Sequence, residues 1–207
     1  MFGPRPPLTA SAARQLAADA NSRAAILVEG WSDQAAVETL AQRRDIDLRA
    51  EGIVVVPIGG MTNLGHFVDA LGACGLGVVL AGLYDAGEER HVLRSLERCG
   101  LGSGPTRASA QALGFFVCDA DLEDELIRAL GTAAALRVIE TEGELGSFRR
   151  FQAQPFQQTQ DHQAQLRRFM GTRAGRKVRY GTLLVAALAL DQVPRSLDQV
   201  LAHVRGR

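Results

Sequence analysis

Apolar positions along this chain fall first into short solid runs and later into helical stripes. Residues 24–28 are wholly apolar and close on Glu29-Gly30, the pattern of a strand buried on both faces that ends in a turn. Comparable runs at 53–56, 77–83 and 114–118 give three more strands. Helical stretches lie between and after them. One is opened by Ser32 or Asp33 and reaches about residue 43, and one is opened by Thr62 or Asn63 and reaches about 71. Two more cover 87–98 and 122–130. Upstream, residues 1–10 read as extended or disordered and 12–21 as an Ala-rich helix, so that 1–22 form an N-terminal arm and helix. Residues 101–109 read as a Gly/Pro/Ser loop. From Thr132 onward only helical periodicity remains, interrupted near 143–146 and by the Gln-rich stretch 152–165.

Strands alternating with helices imply right-handed crossovers and a mainly parallel sheet. The expected fold is therefore α/β and Rossmann-like: a four-stranded sheet flanked by helices over residues 23–131, with a helical C-terminal extension over 132–207. Ligands of such sheets bind at the carboxyl ends of the strands. Three of the four exits carry acids, namely Glu29, Asp85, and Asp119 with Asp121. The second exits into Pro57 and the pair Gly59-Gly60.

Each of these groups has a functional and a plain reading. Glu29 with Asp33 can aim two hard oxygen ligands at one Mg²⁺ or Mn²⁺; Asp33 also reads as an acid favoured at a helix start. Asp85 reads as a metal ligand, or as a helix N-cap completed by Glu88. Asp119, Asp121, Glu123, Asp124 and Glu125 put five carboxylates within seven residues. Such crowding costs stability unless a cation or a helix N-terminus compensates. Gly59, Gly60, Thr62 and Asn63 can present backbone N–H groups to a phosphate, or form an ordinary strand-to-helix turn.

Charge changes the picture in one respect. The formal net charge is zero, yet residues 1–144 carry 20 acids against 12 arginines, while 145–207 carry 3 acids against 11 basic residues. An acidic body beside a basic tail suits a protein that holds cations next to phosphates, and it also describes a solvated helical tail. Lys177 is the one lysine, among 22 arginines. A compact ammonium can meet a single phosphate oxygen in a way a guanidinium cannot; it is equally a residue on a solvated face. Arg167, Arg168, Arg173, Arg176 and Arg179 surround it in sequence and are candidates to grip a nucleic-acid backbone.

Several chemistries drop out. No Gly-rich phosphate loop ending in Lys-Ser or Lys-Thr exists, because Lys177 is followed by Val178. Three dispersed cysteines and four scattered histidines give neither a disulfide framework nor a zinc pattern. No apolar run approaches the ~20 residues that span a bilayer, and residues 1–8 lack a secretory apolar segment. A cytoplasmic location is expected.

Taken in order, five segments resemble the TOPRIM domain, in particular the form found in OLD-family nucleases. They are Ile26-Leu27-Val28-Glu29-Gly30-Trp31-Ser32-Asp33, Val56-Pro57-Ile58-Gly59-Gly60-Met61-Thr62-Asn63, Leu83-Tyr84-Asp85-Ala86-Gly87, Asp121-Leu122-Glu123-Asp124-Glu125-Leu126, and the segment around Lys177. The resemblance implies a DNA-cutting enzyme using two divalent ions, Mg²⁺ or Mn²⁺. It assigns Glu29 and Asp33 to the first acidic motif, Asp85 to the first position of Asp-x-Asp, Asp121 and Glu123 to the later Asp-x-Glu, and Lys177 to the late lysine. Glu29 and Lys177 take the catalytic roles. Gly87 occupies the second position of Asp-x-Asp, so Glu88, Glu89 and Asp119 are supporting candidates. OLD-family chains usually carry an ATPase domain, for which 207 residues leave no room, so any ATP dependence is expected from a separate partner. The alternative expectations are a catalytically weak TOPRIM binding module for nucleic acid or a protein partner, and another TOPRIM nucleotidyl-transfer activity.

Overall fold

The computed structural model describes residues 6–102, 104–173 and 175–206. Residues 1–5 of the expected arm, Ser103 in the expected loop, and Ala174 and Arg207 in the extension lie outside the described residues.

The chain opens with α1 (Ala10–Asp19), capped by the Thr9 hydroxyl, and then forms β1 (Ala24–Val28), α2 (Trp31–Arg43) and β2 (Ile53–Pro57). A 3₁₀ turn leads into α3 (Leu64–Leu71), followed by β3 (Val79–Asp85). Another 3₁₀ turn leads into α4 (Glu89–Arg98), and then come α5 (Arg107–Ala112), β4 (Phe115–Cys118) and α6 (Leu122–Leu130). Six helices complete the chain: α7 (Thr132–Thr141), α8 (Leu145–Gln152), α9 (Pro155–Gln158), α10 (His162–Met170), α11 (Arg176–Ala187) and α12 (Arg195–Arg205).

All four strands are parallel, in the order β2-β1-β3-β4. The expected fold class is therefore what the chain adopts. Helix α5 was not expected: it lies at the end of the Gly/Pro/Ser loop, where Thr106 and Ser109 exchange capping hydrogen bonds. The Gln-rich stretch is not a break either. It holds α9 and the start of α10, with Gln165 tied to Gln152 and to the carbonyls of Gln157 and Gln160.

Strand residues alternate between two buried layers. Ile26, Val28, Val55, Ala81, Leu83, Phe116 and Cys118 face α2, α6, α11 and α12. Ala25, Leu27, Val56, Tyr84 and Phe115 face α1, α3, α4 and α5. Among the described residues beyond 131 there is no new strand, but packing is continuous across that point. Leu197, Val200, Leu201 and Val204 of α12 and Tyr180, Leu184 and Val185 of α11 share one core with the sheet. Helices α2 and α11 cross closely at Gly181, where a Cβ would stand 2.7 Å from the Ser32 carbonyl oxygen. This crossing brings the first turn of α11, with Lys177, toward the strand exits.

Candidate functional site

The chain moves one way from β1 to β2 and the other way from β2 to β3, so the order reverses between β1 and β3. A crevice opens at the carboxyl ends of strands at such a reversal. Leu27 lies opposite Gly82, and the same register sets Glu29 level with Tyr84, one step from Asp85. Neighbouring strands lie about 4.8 Å apart. Asp85 continues the Ala81–Leu83 alternation, and so points to the layer of α2, α6 and α11.

The turn after β1 is fixed from the second strand. The N–H groups of Gly59 and Gly60 both donate to the Glu29 carbonyl, at 3.0 and 3.3 Å. Asn63 donates its side-chain amide to the carbonyls of Ile58 and Gly59. The Gly pair requires its glycines: φ is +72° at Gly59 and +112° at Gly60. This corrects the expectation that Gly59, Gly60 and Asn63 offer these groups to a phosphate. The Gly59 and Gly60 donors are spent on holding Glu29, and the Asn63 amide on closing its own turn. Thr62 sits in the 3₁₀ turn that follows.

Helix α2 is capped at Gly30 rather than at Ser32 or Asp33. The Asp33 carboxylate reaches back to accept the Gly30 N–H at 2.8 Å, so the helix start holds the acid close to the Glu29 turn. Asp121 is the N-cap of α6, accepting the Asp124 N–H at 2.8 Å. Its second oxygen takes the Arg167 guanidinium at 2.6 Å. Glu123, on the first turn of α6, is 2% exposed, and its Oε2 lies 3.1 Å from Lys177 Nζ. That contact is charge to charge, because this enclosed oxygen accepts no aligned hydrogen bond.

These acids act on one another. Burial pushes the Asp85 carboxyl up to about 7, and the charges of Glu29, Asp33 and Asp121 add to the rise. Burial also raises Asp33, helped by the charge of Glu123 and opposed by Lys177. Glu29 is raised by burial too, with Lys177 pulling down and Glu88, Glu123 and Asp121 pushing up. Burial alone would lower the Lys177 ammonium, but the charges of Glu123, Asp33 and Asp121 hold it above its usual range. Five acids and one ammonium thus share a single field.

Of the supporting candidates, Glu88 belongs to this field through Glu29. Glu89 and Asp119 do not. Glu89 forms a two-pronged pair with Arg107 at 2.7 and 2.8 Å, and Asp119 is turned outward to Arg128. The dense acidic group therefore splits. Asp121 and Glu123 face the crevice, while Glu125 and Asp124 bind Arg128, Ser196 and Gln163.

The basic tail also divides. Arg176 is buried, donates to Glu144, Thr172 and the Phe169 carbonyl, and stacks 4.1 Å from the Phe169 ring centre. Arg179 pairs with Glu142, and Arg168 lies over the Phe156 ring. The expected backbone grip by Arg176 is corrected on this ground: a guanidinium already satisfied and enclosed cannot reach a solvent-borne phosphate. Arg173 is exposed. Sequence reasoning missed the contact of Arg167 with the acidic crevice and the anchoring role of Glu144, which also accepts from the Tyr180 hydroxyl. Neither leaves a periodic signal.

The donor chemistry fits a hard divalent cation. It consists of carboxylate oxygens, several raised by burial and then by one another's charge, which a cation would offset, with one enclosed oxygen, Glu123 Oε2, short of hydrogen bonds. Among the described residues no three Asp, Glu, His or Cys side chains stand close enough together to enclose one ion, so the acids share a field rather than a finished coordination sphere. Among those residues, too, no helix is long and apolar enough to cross a membrane.

Residues 22–85 match the family model described as the TOPRIM domain of overcoming-lysogenization-defect (OLD) protein-like chains. No curated protein matches the chain. Among solved structures, the C-terminal region of the Xanthomonas campestris pv. campestris OLD protein is similar at 28% identity and a TM-score of 0.69, over 90% of this chain and 93% of that one. The C-terminal region of the Burkholderia pseudomallei OLD protein is similar at 24% identity and a TM-score of 0.67, over 89% and 98%. Residues 22–85 thus match the OLD-like TOPRIM domain, in a chain whose fold is similar to that of the C-terminal regions of OLD proteins.

Proposed function

We propose that this chain is a divalent-metal-dependent nuclease that hydrolyses the phosphodiester backbone of DNA. One observation carries the reading: Glu29, Asp33, Asp85, Asp121 and Glu123, from four separate elements, lie in one another's electrostatic reach with Lys177 facing them. These five carboxylates would hold Mg²⁺ or Mn²⁺, two ions in this reading, which supply an activated water and polarise the phosphate. Glu29 takes a proton from the attacking water. Lys177 meets the charge that develops on the scissile phosphate. The test is plasmid cleavage in Mg²⁺ or Mn²⁺ by the wild type, Glu29→Ala and Lys177→Met. Cleavage by the wild type alone is expected, and full cleavage by both variants would remove these residues from the mechanism.

A second reading, a catalytically weak binding module, is favoured by Gly87 and by the absence of an enclosing set of three ligands among the described residues. Calorimetric titration with Mn²⁺ separates the two: two binding sites support the nuclease, and none supports the module.

A further inference from the structure

A cleft of about 300 Å³ opens beside the start of α11, between α8 and the α10–α11 turn. Its floor is the Phe169 ring with Arg176 stacked on it, and its walls carry Arg150, Arg173, Ser147 and Thr172. Three guanidiniums border it, and Glu144, bound to Arg176 at 2.8 Å, is the carboxylate that answers them. Arg176 is therefore compensated, while Arg150 and Arg173 stand exposed on the rim. Arg150 is held by a 3.2 Å hydrogen bond to the Ser147 hydroxyl three residues before it. Arg173 stays near enough to Glu144 to help lower its carboxyl, after the hydrogen bonds from Arg176 and Tyr180 that overcome burial. The surplus of positive charge lies with the two exposed guanidiniums, donors that suit a phosphate oxygen, while the Thr172 hydroxyl is already given to the Phe169 carbonyl at 2.7 Å.

The cleft is coupled to the acidic crevice by position. Arg176 and Lys177 are consecutive in the first turn of α11, so one residue faces the cleft and the next faces Glu123.

Resting on the nuclease reading, we infer that this cleft, through Arg150 and Arg173, binds a phosphate of the DNA strand next to the one at Lys177. Arg176 serves as the fixed floor and makes no phosphate contact. The grip is electrostatic and indifferent to base sequence.

Binding is measured by fluorescence anisotropy of a labelled oligonucleotide with the full chain in EDTA, where hydrolysis plays no part. The expected result is that Arg150→Ala with Arg173→Ala weakens binding about tenfold and flattens the log K against log salt slope by about one to two units. Arg149→Ala, on the same helix but outside the cleft lining, is expected to leave the slope near wild type. Thermal melting of each variant confirms folding. The inference is overturned if the double variant binds as the wild type does, if Arg149→Ala flattens the slope equally, or if inorganic phosphate binds while the oligonucleotide does not. Failure of the nuclease reading shows separately, as an intact plasmid in Mg²⁺ with the anisotropy response unchanged.

Discussion

The Lys177 ammonium rests 3.1 Å from Glu123 Oε2, a half-exposed cation on an almost fully enclosed carboxylate. Glu123 is part of the α6 start, so the pair joins the last third of the chain to the helices packed on the sheet. Removing the ammonium leaves a buried acceptor without its main counter-charge. Lys177→Met is therefore expected to cost about 1–3 kcal/mol in metal-free buffer. Urea melts in EDTA and in Mg²⁺ check this, and the loss should shrink with the cation present.

A raised carboxyl sets the sign of a pH effect. Asp85 has a folded value of about 7 against an ordinary 3.8, so between these values the folded state binds more protons than the unfolded state. Stability conferred by this group is present at low pH and is lost as pH rises from about 4 through 7. Asp33 shifts in the same direction. Melting temperature in EDTA should fall across that window; in Mg²⁺ the fall should flatten, and Asp85→Asn should remove part of it.

Gly87 offers room for a repair. A Cβ there meets nothing within 4 Å, and the residue is exposed just past Asp85. Gly87→Asp is expected to fold normally and to tighten Mn²⁺ binding about tenfold, roughly 1.4 kcal/mol. Calorimetry reads this directly. Unchanged affinity would mean that Glu88 already fills the place.

The close crossing of α2 and α11 gives a stability test with a functional readout. A methyl at Gly181 would come within 2.7 Å of a backbone oxygen that has no side-chain freedom to yield. Gly181→Ala should cost about 1–3 kcal/mol through overpacking. It should also push Lys177 off Glu123, lowering cleavage in the assay described above.

Where burial alone decides structure, the sequence was legible. Residues 24–28 and 122–130 read as elements with their true bounds, because solid apolar runs and a capped amphipathic stripe leave few alternatives. The acidic exits were legible for the same reason. What stayed hidden depends on side-chain partners. Nothing local in Arg176 distinguishes a buried anchor from a phosphate grip; only Glu144 and the Phe169 ring do, 32 and 7 residues away. The split of the acidic group likewise turns on Arg128 and on distant Ser196. The Gly pair looked like a phosphate cradle because its donors are invisible until the Glu29 carbonyl is found beneath them.

That same turn has a mechanical consequence. Gly59 is roofed by the Pro7 ring, so closely that a Cβ would stand 2.5 Å from it, and the Gly59 N–H holds the backbone of Glu29. Pro7, Gly59 and Glu29 form a short lever from the start of the described chain to the acidic crevice. Any side chain larger than hydrogen at position 59 would therefore have to displace Pro7 or the turn itself, and with it the backbone from which Glu29 projects.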